Sequence, residues 1–568
     1  MKIRLPKALL TLVAVAAAST VQAGYYTPTT ITTEGEMVLG SKPEGVEGYT
    51  IDAKDGAGKA TITGDVTTES AIYVREGELF IGGTDVHNTV TINTQGGGQL
   101  RQGDSPTMLS VAGKDSMLVI DNATVTSERQ VTTAVGGADG NGTLILQNGA
   151  KYDGSTQDYF IIGYQSYRIS GTTPMTDKHA YLTHATTQGK LEEEKSDNTN
   201  LNNRWQGSYT AGSGNTEYGR GVVTVTDKSE MLASGVKEFV ICHGELNVLK
   251  ESTFSTSALP VLLGFAEGAT ATVNVESGSV MNMNGQLHTG SFKNAKVEIN
   301  VNDATLNLNN YKGSFLGLGS ESATSPTGYK DNGSVTVLNL QDKAVMNLTE
   351  EMYVGYSSSA KINVASTATI NESGDSRDLL IICAAGVVDN AGDINIKTKI
   401  DGGALTLDAG SKMADITMSE GNIKVNGATS TGDLVLNGGT ITFSLNTIEM
   451  ALATLAAEDT TPAMMTVDSL TVGEGLKIVV QLSEADFADL ENKSFSLFAL
   501  NGDVTGGSIE GLLEADIVFT NGTESKVGTI SATEGTITVT NTKLIPEPTT
   551  ATLSLLALAA LAGRRRRK

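Results

Sequence analysis

Cysteine is nearly missing from this 568-residue chain. It has 2, with 10 prolines, 1 tryptophan, 5% aromatic and 18% charged residues. Two cysteines cannot staple a scaffold that lacks a core of its own. The scarcity of aromatics, with Ala, Val, Leu, Ile, Thr, Asn and Gly dominant, speaks against a helical bundle. No basic patch of any size lies in the body, which excludes sequence-independent nucleic-acid binding. The chain also lacks a G-x-S-x-G elbow, an H-E-x-x-H pair and a P-loop. What it has in abundance is glycine, 64 residues, set between short runs of β-branched and small residues. That mixture suits many short strands joined by tight turns. A length near 570 would ordinarily mean about three or four domains, but a repeat array uses such a length as one body.

The two ends differ from the rest. Residues 1–23 read as a secretory signal peptide. Lys2, Arg4 and Lys7 form its positive start, and an apolar stretch runs from Ala8 to Ala18. Small residues precede a cleavage site after Ala23, so the mature chain is expected to begin at Gly24. At the other end, Pro546-Glu547-Pro548 precedes an apolar run from Ala551 to Ala562. A block of Arg564, Arg565, Arg566, Arg567 and Lys568 follows. As a helix, residues 549–563 would cover about 22 Å, short of the roughly 30 Å hydrocarbon core. Such a segment engages a membrane transiently, with its basic side chains reaching the cytoplasmic headgroups.

These three elements in this order resemble the PEP-CTERM sorting signal of Gram-negative bacteria. The resemblance covers residues 546–568. It implies processing by an exosortase, an integral-membrane enzyme that cuts near the motif, and association with exopolysaccharide at the surface. The plainer alternative is a simple tail anchor. Charge fits export. The chain carries 40 basic and 64 acidic residues, a net of −24. Without residues 1–23 (three basic groups) and 546–568 (five basic groups and Glu547), 32 basic and 63 acidic residues remain, or −31. A body so acidic repels anionic polymers and stays soluble away from the membrane.

Self-similarity sets the fold expectation. The unit is about 21–25 residues: Gly or Ala, an alternating strand, a small residue, a second strand, then an apolar triplet closed by Gly or Cys. Copies run from Gly142 to Gly163, Gly221 to Cys242, Gly244 to Gly264, Ala295 to Gly319, Gly333 to Gly355 and Ala360 to Cys383. In Val222-Val223-Thr224-Val225-Thr226 every second residue faces one side, so one face of the strand is buried. A unit this short cannot bury that face alone. Stacking unit on unit pairs each backbone group about 4.8 Å away and closes a continuous core. The expected fold is all-β: a parallel β-helix or β-solenoid with a β-rich C-terminal cap, plus helices at the N-terminal signal and the C-terminal hydrophobic segment. The rival is an array of β-sandwiches. Short patterns such as Gly432-Asp433-Leu434-Val435-Leu436-Asn437-Gly438-Gly439-Thr440 resemble the passenger repeats of autotransporter-like surface proteins, which supports the architecture alone.

The expected organisation is 24–140 as N-terminal rungs and cap and 141–445 as solenoid, interrupted by an insertion at 164–220. Residues 446–545 form a β-rich C-terminal cap that begins with a short helix at 446–457. Cys242 and Cys383 fall where other units place Gly and read as small core residues. About six rungs separate them, roughly 25–30 Å, too far for a disulfide. His87, His179, His184, His243 and His288 show no metal-ligand spacing joined to Cys, so no metal or cofactor is expected. The stretch Gly136-Gly137-Ala138-Asp139-Gly140-Asn141-Gly142 resembles a Gly/Asp-rich calcium turn but occurs once, and reads as a plain Gly-rich turn.

The insertion gathers Tyr164, Tyr167, Trp205 and Tyr209, candidates to stack on sugar faces or to dock a partner. The competing reading is a loop packed on itself. Acidic residues such as Asp227, Glu276, Asp303 and Asp342 are scattered at turns. Glycoside chemistry needs two carboxylates converging on one groove, so no enzymatic activity is expected. The expectation is an exported structural or adhesive protein of the cell surface, outer membrane or extracellular matrix, a stiff body holding loops away from the envelope. Its partners would be an exosortase and an exopolysaccharide or surface glycan. The alternative is a carbohydrate-active β-helix enzyme, a polysaccharide lyase or glycosidase.

Overall fold

The computed structural model describes residues between 29 and 544. Residues 1–28, 93–106, 164–219, 445–463, 501–515 and 545–568, with shorter stretches between strands, lie outside the described set. The signal peptide, the sorting segment with both expected terminal helices, and the helix expected at 446–457 therefore fall outside it. Among the described residues nearly all regular structure is β-strand, and the one helix is Glu484–Ala488. The chain divides into two compact units. The N-terminal unit is Met1–Tyr311 with Leu318–Thr336, and the C-terminal unit is Lys312–Gly317 with Val337–Lys568. Both have a β-rich, repeating, solenoid-like fold.

In the N-terminal unit each coil is three short strands. One coil is Gly142–Gln147, Lys151–Asp153 and Tyr159–Ile162. The next is Gly221–Val225, Glu230–Leu232 and Glu238–Ile241, followed by Gly244–Val248, Thr253–Thr256 and Pro260–Leu263. Every strand lies parallel to its counterpart one coil on, as in Gly221↔Gly244 through Val225↔Val248. The alternating sequence makes this a core. Leu144, Val223, Leu246, Val273 and Ile299 are in register along one inner column, and all are fully buried. Burying each such side chain is worth roughly 1.5–3 kcal/mol. An aromatic cluster crosses the interior: Phe160 and Phe239 are in register on third strands, and Phe254 meets Phe239 from a second strand, at 5.9 and 5.1 Å between centroids. At its start the buried Tyr152 hydroxyl meets Thr133 Oγ1 at 2.7 Å and accepts from Gln157 Nε2 at 2.8 Å.

The first corner of each coil is a two-residue turn in the left-handed region. It is Asn148/Gly149, Asp227/Lys228, Lys250/Glu251 and Ser277/Gly278 in successive coils. Gly, Asn and Asp adopt this backbone readily, but Lys228, Lys250 and Glu251 do so against a cost of roughly 1–2 kcal/mol each. The stacked corners exchange ions across coils: Lys250 Nζ meets Asp227 Oδ1 at 3.0 Å and Lys228 Nζ meets Glu251 Oε2 at 3.4 Å. A small buried residue follows each turn. Ser229 Oγ accepts the Ala150 N–H at 3.1 Å; Ser252 and Ser279 do the same for Ser229 and Ser252, each at 3.2 Å. This serine file gives partners to backbone donors at the bend, which a sealed interior requires.

The C-terminal unit starts with similar coils and then tightens. Ser359–Val364, Thr369–Glu372 and Leu379–Cys383 are separate strands. One coil later Lys397–Leu407 runs unbroken for 11 residues. Its first part pairs with Leu379–Cys383 and its second with Gly386–Asn390, so a corner has shrunk to a bulge at Asp401/Gly402. Ile416–Val425 repeats the device around Gly421. The spacing between stacked residues falls from 24, as from Asn371 to Asn395, to 18, as from Asp408 to Asn426. In the last strands the parallel pattern ends. Asp516–Thr520 still lies parallel to Leu476–Gln481, but Ser525–Thr533 and Thr536–Leu544 form an antiparallel pair.

Outward residues also form files. In the N-terminal unit Asn274 Nδ2 donates to Asn247 Oδ1 at 2.8 Å and Asn300 Nδ2 to Asn274 Oδ1 at 3.0 Å. In the C-terminal unit Asn371 donates to Asn347 at 3.3 Å and Asn395 to Asn371 at 3.0 Å. Side-chain amides thereby repeat the backbone ladder on the surface, as stacked amides do in other in-register parallel sheets.

Candidate functional site

The third strand of each coil ends in the apolar triplet noted in the sequence. Its first and last residues point inward, and its middle residue points outward. In the N-terminal unit the outward file is Ile161, Val240, Leu262 and His288, in register. All four are buried, because the file is roofed. Phe265 and Phe292 follow the third strands of successive coils, lie edge to face at 4.6 Å and join Ile161, Val240 and Leu262 in one cluster. Burial drives the His288 imidazole down to about 4, so it is neutral at pH 7.

The C-terminal unit carries the corresponding file with larger and more exposed side chains. Phe315 on Ser314–Leu316 is in register with Tyr353 on Met352–Val354; Tyr353 with Ile381; and Ile381 with Lys399. Their inward neighbours Leu316, Met352, Val354, Leu380 and Ile382 are fully buried, which fixes the register and so the direction of the outward rings. The Phe315 and Tyr353 rings stack at 4.9 Å with an interplanar angle of 6°. Tyr356 stands edge-on to both, at 5.1 and 5.6 Å. Pairs of this kind contribute about 0.5–1.5 kcal/mol beyond the area they bury. All three rings are half-buried.

Tyr356 reaches this place through Gly355, which has φ +68°; a Cβ there would lie 2.0 Å from the Gly386 nitrogen. Only glycine fits. The following backbone is tied to the preceding coil, with Ser357 N–H donating to Gly317 O at 3.0 Å. Polar groups rim the shelf. The Tyr353 hydroxyl donates to Glu351 Oε2 at 2.5 Å. Burial, then the Glu351 hydrogen bond and its negative charge, hold the Tyr353 phenol well above the ordinary tyrosine range. Lys399 Nζ is 3.3 Å from Asp401 Oδ2. Burial first, then Asp401, pushes the Cys383 thiol up to about 11. Glu351 and Asp401 give this rim two carboxylates against the base Lys399. The Phe315 and Tyr353 faces cover each other, so the arrangement offers ring edges and the Tyr356 ring beside a positioned carboxylate, which suits a ligand with an apolar face and a donor at its edge.

The residues singled out from the sequence fall elsewhere. Tyr164, Tyr167, Trp205 and Tyr209 lie outside the described residues, as do Ala23, Pro546, Glu547, Pro548, Arg564, Arg565, Arg566 and Arg567. Both bases of the insertion are described. Gly163 N–H donates to Val135 O at 2.7 Å. Arg220 N–H donates to Asn141 Oδ1 at 3.1 Å, and its guanidinium pairs with Glu245. His243 sits against this corner, its Nδ1 accepting the Thr270 N–H at 3.2 Å. Burial, then the nearby Arg220 charge, lowers its pKa.

Cys242 is buried at a position where the neighbouring coils have Gly163 and Gly264. Burial, then the Glu238 charge, pushes its thiol up to about 12, so it stays protonated at neutral pH. Asp227, Asp303 and Asp342 occupy left-handed corners, a turn-forming use of acidic residues. Among the described residues no three His, Cys, Asp or Glu side chains gather as a metal site. No described helix is long and apolar enough to cross a membrane.

Sequence reading missed Phe315, Tyr353 and Tyr356. The available signal was the triplet itself: Ser314-Phe315-Leu316-Gly317 and Met352-Tyr353-Val354-Gly355 each place an aromatic at the outward middle position. No protein-family model and no curated protein matches this chain.

Proposed function

We propose that this chain is an exported structural and adhesive protein of the cell surface or extracellular matrix, delivered through its PEP-CTERM-like segment and processed by an exosortase-type enzyme. In this reading each unit is a parallel β-helix, and the antiparallel strands between Asp516 and Leu544 belong to the β-rich cap. The observation that carries it is the coil-on-coil ladder, with inward columns sealed by aliphatic side chains and, in the C-terminal unit, an outward file whose rings stay half-exposed.

The carboxylates support a scaffold over the carbohydrate-active enzyme. Glu230 pairs with Lys151 at 3.1 Å, Asp389 with Lys361 at 2.6 Å and Asp227 with Lys250 at 3.0 Å. These acids are matched to a base on a neighbouring coil, whereas glycosidic chemistry needs two carboxylates opposed across a substrate. The acidic body suits solubility outside the cell.

The test is localisation of the native chain and of a variant with Pro546-Glu547-Pro548 changed to alanines, followed by antibody labelling of intact cells and by fractionation. The native chain is expected on the cell exterior, shortened at its C-terminus, with the variant held in the envelope at full length. A native chain found in the cytoplasm would overturn the reading.

A further inference from the structure

We infer that the shelf of Phe315, Tyr353 and Tyr356 with Glu351 binds an amino-sugar polymer whose amines are free, a de-N-acetylated hexosamine polysaccharide. The inference deepens the adhesive reading above and rests on it for its setting. The argument starts from the half-buried rings. Three aromatic side chains packed on one another on the outer side of a strand file hold apolar area at the surface, although inward columns are available for such groups. Sugars present a C–H face that packs on aromatic carbon, and a cation beside a ring gains further attraction.

Charge selects the kind of sugar. Among the described residues the file carries the carboxylates of Glu351 and Asp401, and its base Lys399 is already matched to Asp401 at 3.3 Å. The Tyr353 hydroxyl occupies one side of the Glu351 carboxylate at Oε2, and fixes its direction while leaving Oε1 to accept from a ligand. An ammonium group satisfies both that oxygen and the rim's excess of carboxylate. An acidic glycan meets repulsion from this rim and from a chain with 64 acidic against 40 basic residues. A neutral glycan leaves the carboxylate without a matching charge. Geometry adds a further constraint. The Phe315 and Tyr353 faces are stacked on each other and Ile381 is buried, so the sugar's C–H face packs on the Tyr356 ring beside Glu351.

The experiment is calorimetric titration of the purified full-length protein with oligosaccharides of glucosamine and, separately, of N-acetylglucosamine, with an oligolysine peptide as a third ligand. Glucosamine oligosaccharide is expected to bind at least about tenfold more tightly than its acetylated counterpart, the scale of one charge-assisted hydrogen bond. Glu351→Gln should weaken it about tenfold and Tyr356→Ala about threefold to fivefold, with Glu230→Gln as an unaffected control on the other unit. Glu351→Gln is isosteric and exposed enough to keep the fold, so its result stands if Tyr356→Ala is poorly folded. Equal binding of acetylated and free-amine oligosaccharides, or unchanged binding by Glu351→Gln, would overturn the inference. So would oligolysine binding as tightly with the same dependence on Glu351, which would assign the site to basic peptides. None of these outcomes depends on export, so failure here and failure of the surface assignment are separate results.

Discussion

The same outward file is treated in opposite ways by the two units. In the N-terminal unit Ile161, Val240 and Leu262 point away from the coil interior and are still buried, because Phe265 and Phe292 close over them. In the C-terminal unit the equivalent position holds Phe315 and Tyr353, half-buried beside Tyr356. One repeat thus builds a second core on one unit and a surface feature on the other. The strand pattern is shared. What differs is the cover: Phe265 and Phe292 lie over the file in one unit, whereas in the other Tyr356, from the corner after Met352–Val354, stands edge-on to rings that stay half-exposed.

The roofed file should be the costly one to disturb. Leu262→Ala removes a fully buried side chain and is expected to cost about 3–4 kcal/mol, read from denaturant unfolding. A cost below about 1 kcal/mol would mean that the roof is loose and the comparison is wrong. Next comes pH. His288 titrates near 6.5 when unfolded and near 4 when folded. Between those values the unfolded state binds more protons, so the stability from this group is full above about 6.5 and is lost as pH falls towards 4. The loss is on the order of 3 kcal/mol. His288→Gln should flatten this part of the stability curve relative to the parent protein, and an unchanged slope would place the imidazole in water.

A smaller effect separates corner chemistry from face chemistry. Ser252→Ala takes away one of the two acceptors of the Ser229 N–H, leaving Thr226 O at 3.3 Å, and should cost about 1–1.5 kcal/mol, seen as faster amide exchange at Ser229. The smallest effect is expected on the open file. Phe315→Ala should change stability by about 1 kcal/mol, the stacking term alone. A loss as large as that of Leu262→Ala would show that the shelf is core and not surface.

Much of this was legible in the chain itself. The alternation in Val222-Val223-Thr224-Val225 became the strand Gly221–Val225 with its odd positions buried, and Val297-Glu298-Ile299-Asn300-Val301 became Lys296–Asn302. Cys242 sits among glycine positions, as its place in the repeat suggested. Other features were not legible, for physical reasons. Gly and Asn mark corners, yet Lys228, Lys250 and Glu251 take the same left-handed turn, held by the coils stacked on either side and not by their own preference. The contraction from 24 to 18 residues per coil depends on a corner merging into a strand, which alternation alone does not distinguish from two strands in a row. The aromatic shelf joins residues 38 positions apart, outside the repeat length, so only the register brings Phe315 against Tyr353.

The most direct test of the stacked-coil architecture is a pair of engineered disulfides in a chain whose two native cysteines are replaced by alanine. Asn247→Cys with Asn274→Cys places the thiols on adjacent coils in register, about 4.8 Å apart along the ladder and within bridging range. Asn247→Cys with Asn282→Cys places them on different faces of the coil. The first pair should oxidise readily with the fold intact, and the second should stay reduced until the protein is unfolded. Ready oxidation of the second pair, or failure of the first in folded protein, would contradict the coil-on-coil arrangement.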